Sequence, residues 1–263
     1  MMLNNKQLID QIESEKIKGI IFDFDGTLLD VREPLENSIR EVFEEENIEV
    51  EMEVALKEIG AVLESIQGYP LPKIILQSHD IFQFISSLEK QSFMSKLRIA
   101  TKIFSKYLEY EKNAHIYPKV PKLLENLKLQ YDLYIVSHNQ TKNIAEHLEK
   151  NNLSSFFTEV YGADKLPELK PNPRAFKPIF EHFDPFKGNE FIMIGDMPSD
   201  IETGQEAGIW TIAFSSGVSK KDILIDCRPD LLIESVDELY ELFGINYNKI
   251  TQSKTKKSLE IKS

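Results

Sequence analysis

The stretch Ile20-Ile21-Phe22-Asp23-Phe24-Asp25-Gly26-Thr27-Leu28-Leu29-Asp30 sets a short apolar run directly against two carboxylates and a glycine turn. A run of this length, bounded by turn residues, reads as a buried strand. Carboxylates at its end have no packing role, because burying them unpaired costs on the order of several kcal/mol. In an extended chain the side-chain period of two aims Asp23 and Asp25 the same way. Two acids facing one spot at the carboxyl end of a strand suggest a site, since open α/β sheets bind ligands at that edge. The plainer alternative is a solvated strand end with a glycine turn, and Asp-x-Asp alone does not decide between them.

Outward from this stretch, apolar runs recur at Leu133–Ser137, Glu159–Tyr161, Phe191–Gly195 and Ile209–Phe214. Helical patterns lie between and behind them at Val120–Gln130, Lys142–Asn151, Arg174–His182 and Ser199–Ala207. This alternation predicts an α/β chain with a parallel sheet and crossover helices. The interval from Phe24 to Leu133 breaks the rhythm with helical periodicity only. Leu35, Ile39, Val42 and Phe43 form one stripe, and Ile99, Ile103 and Tyr107 form another. A crossover needs about a dozen residues, so the surplus reads as an inserted helical domain. The expected organisation is an α/β core from 1–31 and 117–245, a helical cap over 32–116 and a flexible lysine-rich tail over 246–263.

The chain has 263 residues, 41% of them hydrophobic and 28% charged, which suits a folded enzyme rather than a disordered one. Its formal charge of −12 carries no clustered Lys and Arg to match a nucleic-acid backbone. Phosphate, if bound, must be met locally by a metal ion, backbone N–H groups or a placed lysine. With Cys227 the only cysteine, neither an intrachain disulfide nor a thiolate zinc cage can form. No apolar segment reaches membrane-spanning or signal length. The expectation is a cytoplasmic protein with no nucleic-acid polymer and no membrane as partner.

Three later segments strengthen the first. Leu133-Tyr134-Ile135-Val136-Ser137-His138-Asn139 is a strand ending in hydroxyl and amide groups able to donate to a phosphate. Lys170-Pro171-Asn172-Pro173 keeps a lysine out of helical geometry just before a helix. Phe191-Ile192-Met193-Ile194-Gly195-Asp196-Met197-Pro198-Ser199-Asp200 is another strand ending in acids, with Pro198 suited to the first helical turn. Each residue has a plainer reading. Thr27 can cap a turn, Ser137 can bond its own backbone, Lys165 can stand in for Lys170, His138 can be a loop residue, and Asp200 suits a helix N-terminus on its own account.

In this order and context, the four segments resemble the haloacid dehalogenase-like superfamily over Gly19 to Gly208. The resemblance implies a three-layer α/β/α Rossmann-like core with a parallel sheet and an inserted α-helical cap. It makes Asp23 the nucleophile and Asp25 the acid/base. Thr27 and Ser137 would hold phosphoryl oxygens, with His138 and Asn139 beside them at the substrate, and Lys170 would neutralise the phosphate and orient Asp23. Asp23, Asp196 and the Asp25 carbonyl would ligate Mg²⁺, with Asp200 anchoring the metal's waters or Lys170. The chemistry agrees: unit charges of one sign at 4 Å repel by about 4 kcal/mol at an effective dielectric of 20, and a hard cation with oxygen ligands relieves this.

Within the superfamily, an acid at Asp25 argues against the dehalogenases themselves. The insertion resembles that of the phosphoglycolate-phosphatase-like and β-phosphoglucomutase-like group. Gly68-Tyr69-Pro70-Leu71, with Ile75 and Leu76, is similar to that group's cap segment at the active site; of the cap residues Tyr69, Lys73, His79 and Arg98, which the sequence does not place against the site, Tyr69 and Lys73 are expected to set the ranking of substrates. Thr27 stands where the mutases usually carry valine, so the resemblance implies first a Mg²⁺-dependent phosphatase working through an aspartyl phosphate on a small phosphorylated metabolite, as a monomer or homodimer. A phosphotransferase or phosphomutase, or a catalytically silent binding or regulatory module, is the alternative.

Overall fold

The computed structural model describes residues 6–49, 51–56, 58–59, 88–89, 91–183 and 185–245. Its centre is a six-stranded parallel sheet built from β1 (Gly19–Phe22), β4 (Asp132–Val136), β5 (Glu159–Tyr161), β6 (Phe191–Gly195), β7 (Trp210–Phe214) and β8 (Leu231–Ile233). The spatial order is β5-β4-β1-β6-β7-β8, and every pairing is parallel. From β1 the chain winds outward to β4 and β5, then returns to the other side of β1 for β6, β7 and β8. The switch point therefore lies between β1 and β6, where such sheets open a crevice at their carboxyl ends.

These strands are apolar on both faces because both faces are covered. In β1, Ile20 and Phe22 enter one buried cluster and Ile21 enters another. In β6, Ile192 and Ile194 enter the first, and Phe191 and Met193 the second. Around the sheet lie α1 (Lys6–Glu13), α4 (Val120–Leu127), α5 (Thr141–Lys150), α6 (Lys177–Phe180), α7 (Pro198–Glu206), α8 (Lys221–Asp226) and α9 (Val236–Leu242). The expected helix at Arg174–His182 is in fact two pieces, a 3₁₀ turn over Pro173–Phe176 followed by α6. Pro178 lacks the N–H a continuous helix would use. The strand expected over Ile20–Phe24 ends at Phe22, because the chain turns: Phe24 O accepts the N–H groups of Leu28 and Leu29, both at 2.9 Å.

The insertion leaves and rejoins the core side by side. Strand β2 (Leu29–Asp30) pairs antiparallel with β3 (His115–Ile116). Beyond this pair, α2 (Arg32–Glu45) packs against α3 (Phe93–Glu111). Their shared core holds the two stripes read from the sequence, Leu35, Ile39, Val42 and Phe43 against Ile99, Ile103 and Tyr107. Ion pairs edge the contact, Lys106 to Glu41 at 2.6 Å and Lys102 to Glu46 at 2.8 Å. Such exposed pairs contribute about 1 kcal/mol at most, so the apolar stripes hold the helices together. Arg98 belongs to this edge, paired with Glu46 at 2.6 Å. Tyr69, Lys73, His79, the rest of the Gly68–Leu76 segment and the 246–263 tail lie outside the described residues.

Candidate active site

Asp23 follows the last paired residue of β1, and its N–H still bonds Ile194 O on β6 at 2.9 Å. The sheet itself thus fixes the first acid at the switch point. Lys170, 1% exposed, ion-pairs with Asp23 Oδ1 at 3.0 Å and also bonds Asp200 Oδ1. The other Asp200 oxygen accepts the Met197 N–H at 3.0 Å in the first turn of α7. One carboxylate therefore closes the first turn of a helix and holds the lysine. Lys165, the alternative lysine, is exposed.

Asp196 ends β6 within reach of Asp23. One ligand oxygen each from Asp23, Asp196 and Asp200 lies within 4.8 Å of the others, all three residues being buried. The Asp196 carboxylate accepts Thr27 Oγ1–H at 2.9 Å and Val218 N–H at 2.8 Å. Thr27 thus gives its hydroxyl hydrogen to Asp196. Two glycines make room. Gly26 adopts φ +79°, and a Cβ there would sit 2.2 Å from Asp196 Oδ2; a Cβ at Gly217 would sit 2.1 Å from the same atom. Sequence reading missed the Gly217-Val218 contribution, which comes from a backbone N–H and a missing side chain.

Ser137 lies at the carboxyl end of β4, its N–H on Tyr161 O at 3.0 Å and its Oγ accepting the Asn139 N–H at 3.2 Å. His138 Nε2 donates to Lys170 O at 3.0 Å and so braces the lysine's main chain. Asn139 Nδ2 donates to Asp25 Oδ2 at 2.9 Å and to Glu111 Oε1 at 3.2 Å. Of the four residues expected at the substrate, Thr27, His138 and Asn139 donate to protein groups, and Ser137 Oγ accepts the Asn139 N–H. The Asp25 carboxylate is not part of the three-acid group, because the chain turns after Asp23 and carries Asp25 towards Asn139.

The electrostatics favour a cation. Three buried carboxylates within 4.8 Å repel by about 3–4 kcal/mol per pair at an effective dielectric of 20, and Lys170 offsets only part of this. Burial, then Asp23 and Asp200, push the Asp196 carboxyl well above the usual carboxylate range. Burial foremost pushes Asp200 up to about 7, with Lys170 pulling the other way. An all-oxygen donor set with excess negative charge fits Mg²⁺, which takes one or two carboxylates together with phosphate oxygen. Asp23, Asp196 and Asp200 are the side chains that could hold it.

A doubly wound parallel sheet with an acid-and-lysine cluster at its switch point is the arrangement of an α/β protein whose ligand site lies at the carboxyl ends of the strands. The family model of haloacid dehalogenase-like hydrolases matches residues 20–214. The chain belongs to the haloacid dehalogenase-like hydrolases. Phosphoglycolate phosphatase of Vibrio parahaemolyticus is 26% identical over 234 residues, covering 88% of this chain and 98% of its own. A solved protein of Haemophilus somnus, described as a predicted phosphoglycolate phosphatase, superposes with a TM-score of 0.65 at 23% identity, over 86% of this chain and 98% of its own. The HAD-hydrolase YfnB of Bacillus subtilis, solved with magnesium bound, gives a TM-score of 0.63 at 22% identity, over 87% and 99%.

Proposed function

We propose that this chain is a Mg²⁺-dependent phosphatase that hydrolyses a small phosphomonoester through an acyl phosphate on Asp23. The observation that carries this reading is the buried group of Asp23, Lys170, Asp196 and Asp200 at the switch point. In the first displacement an Asp23 oxygen attacks phosphorus, the bond from phosphorus to the ester oxygen breaks, and Asp25 gives its proton to that oxygen. In the second, Asp25 takes a proton from water, whose oxygen attacks the same phosphorus. The bond to Asp23 breaks, its carboxylate is restored, and inorganic phosphate leaves. Lys170 holds Asp23 in place and offsets phosphate charge, Asp200 holds Lys170, and the Ser137 hydroxyl donates to a phosphoryl oxygen. Mg²⁺ held by Asp23, Asp196 and the Asp25 carbonyl would supply positive charge against the phosphate and the transition state.

In this reading residues 32–116 are the cap that selects the substrate, and 1–31 with 117–245 are the core that carries the chemistry. A cleft of about 490 Å³, lined by residues including Arg32, Leu35, Ser215, Val218 and Lys220, adjoins Asp196 through Gly217. It has room for a small metabolite, and its lining carries Arg32, Lys220 and Lys221 beside Glu53 and Asp222. The phosphoglycolate phosphatases among the relatives are consistent with a substrate of that size.

The test is phosphate release from p-nitrophenyl phosphate by the purified chain. Release is expected with Mg²⁺, lost in EDTA and recovered when Mg²⁺ is restored, with Asp23→Asn inactive throughout. Full activity in excess EDTA, or turnover by Asp23→Asn, contradicts the reading.

A further inference from the structure

A buried polar chain begins outside the catalytic segments and ends on one of them. Glu111, the last residue of α3, is 2% exposed. Its Oε1 lies 3.2 Å from His147 Nε2 and accepts Asn139 Nδ2–H at 3.2 Å. His147, on α5, is 4% exposed. Because a carboxylate only accepts, the imidazole hydrogen sits on Nε2. The ring centroid lies 5.9 Å from that of Phe24, the residue between Asp23 and Asp25.

The orientation of Asn139 follows from its neighbours. Its Oδ1 accepts Gln140 N–H at 2.8 Å and Asn143 Nδ2–H at 3.1 Å. The amide NH₂ is thereby turned to two carboxylates, Asp25 Oδ2 at 2.9 Å and Glu111 Oε1 at 3.2 Å. It has two hydrogens, one for each.

Stability does not require this arrangement. Glu111 continues the four-residue spacing of Ile99, Ile103 and Tyr107, where an aliphatic side chain would extend the apolar contact. Replacing a buried ionic pair by packed apolar residues is often neutral or stabilising.

We propose that Glu111 and His147 are positioning residues for Asp25: His147 orients Glu111, and Glu111 holds the Asn139 NH₂ that fixes the Asp25 carboxylate. The proposal rests on the reading of Asp25 as the acid/base. It also ties the helix returning from the insertion to the proton-transfer group, since Glu111 is that helix's last residue.

The test is a double-mutant cycle on the full chain with Mg²⁺, using an alkyl phosphate whose leaving group needs a proton. Asp25→Asn is expected to lower kcat by about 10²–10⁴-fold. Glu111→Gln, of equal size, is expected to lower kcat by about 10–100-fold with KM changed by no more than about twofold. In the Asp25→Asn background, Glu111→Gln should have no further effect. If Glu111→Gln does not fold, His147→Gln carries the same cycle, with a smaller kcat loss that also vanishes in the Asp25→Asn background. Equal losses in both backgrounds, or a loss confined to KM, overturn the positioning claim while leaving Asp25 as acid/base. If Asp25→Asn leaves kcat unchanged, the acid/base reading falls and the positioning claim falls with it.

Discussion

Lys170 holds two carboxylates in a place where water is excluded. Removing one partner from a buried ion pair costs about 3–5 kcal/mol, because the other charge remains buried. Lys170→Met should therefore lower unfolding stability in EDTA by about that amount, and Mg²⁺ should recover part of the stability but no turnover. Urea unfolding in EDTA and in Mg²⁺ checks this; unchanged stability in EDTA would contradict the charge assignment. The lysine was legible in sequence through its Pro171 and Pro173 context. The engagement of Asn139 was not, because its partners Asp25 and Glu111 are 114 and 28 residues away in the chain. Glu111 did leave a trace, an acid at a position where the Ile99-Ile103-Tyr107 stripe calls for an apolar side chain.

The loop after β7 supplies the Val218 N–H that fixes Asp196, and Gly217 lets that loop come close. Gly217→Ala should push on Asp196 and raise the Mg²⁺ requirement about 10–100-fold, the usual effect of disturbing a group that orients a metal ligand. A Mg²⁺ titration of activity checks this, with thermal unfolding to confirm that the chain folds; an unchanged requirement would show that the contact is relieved elsewhere. Ser215-Ser216-Gly217-Val218 reads only as a loop, since a backbone donor has no residue type to reveal it. The long apolar strands β1, β4, β6 and β7 were legible because burial on both faces demands continuous apolar runs. Strands β2 and β3 span only two residues, too few to show a period; β8 was not read, although it is as long as β5, which was. Helix α1 was missed because its apolar residues are few, Leu8 and Ile12 buried and Ile9 beside them in a charged and polar segment.

At the scale of the molecule, the acid cluster links proton binding, metal binding and stability. The folded-state value of Asp200 rises to about 7, so between about pH 4 and about pH 7 the folded chain holds a proton that the unfolded chain releases. The stability this proton contributes is full below about pH 4 and is lost as pH rises through about 7. Mg²⁺ competes with protons for the cluster and stabilises the fold by mass action. The rise in Tm on adding Mg²⁺ should therefore be larger at about pH 7.5 than at about pH 5, and Asp196→Asn should flatten the difference. An equal rise at both pH values would separate the metal from the carboxyl cluster.

The central claim is that Asp23 carries the phosphoryl group while Asp25 moves protons. Asp25→Asn separates these roles on p-nitrophenyl phosphate, because nitrophenolate leaves with little need of a proton while the attacking water still needs a base. The decisive measurement is rapid mixing of Asp25→Asn with this substrate and Mg²⁺, followed by mass-spectrometric location of the hydroxylamine-sensitive label. The account predicts a nitrophenol burst of about one equivalent per active site, then slow turnover, with the acyl phosphate on Asp23. A label on another residue, or a variant that binds substrate normally yet shows neither burst nor label, would contradict it.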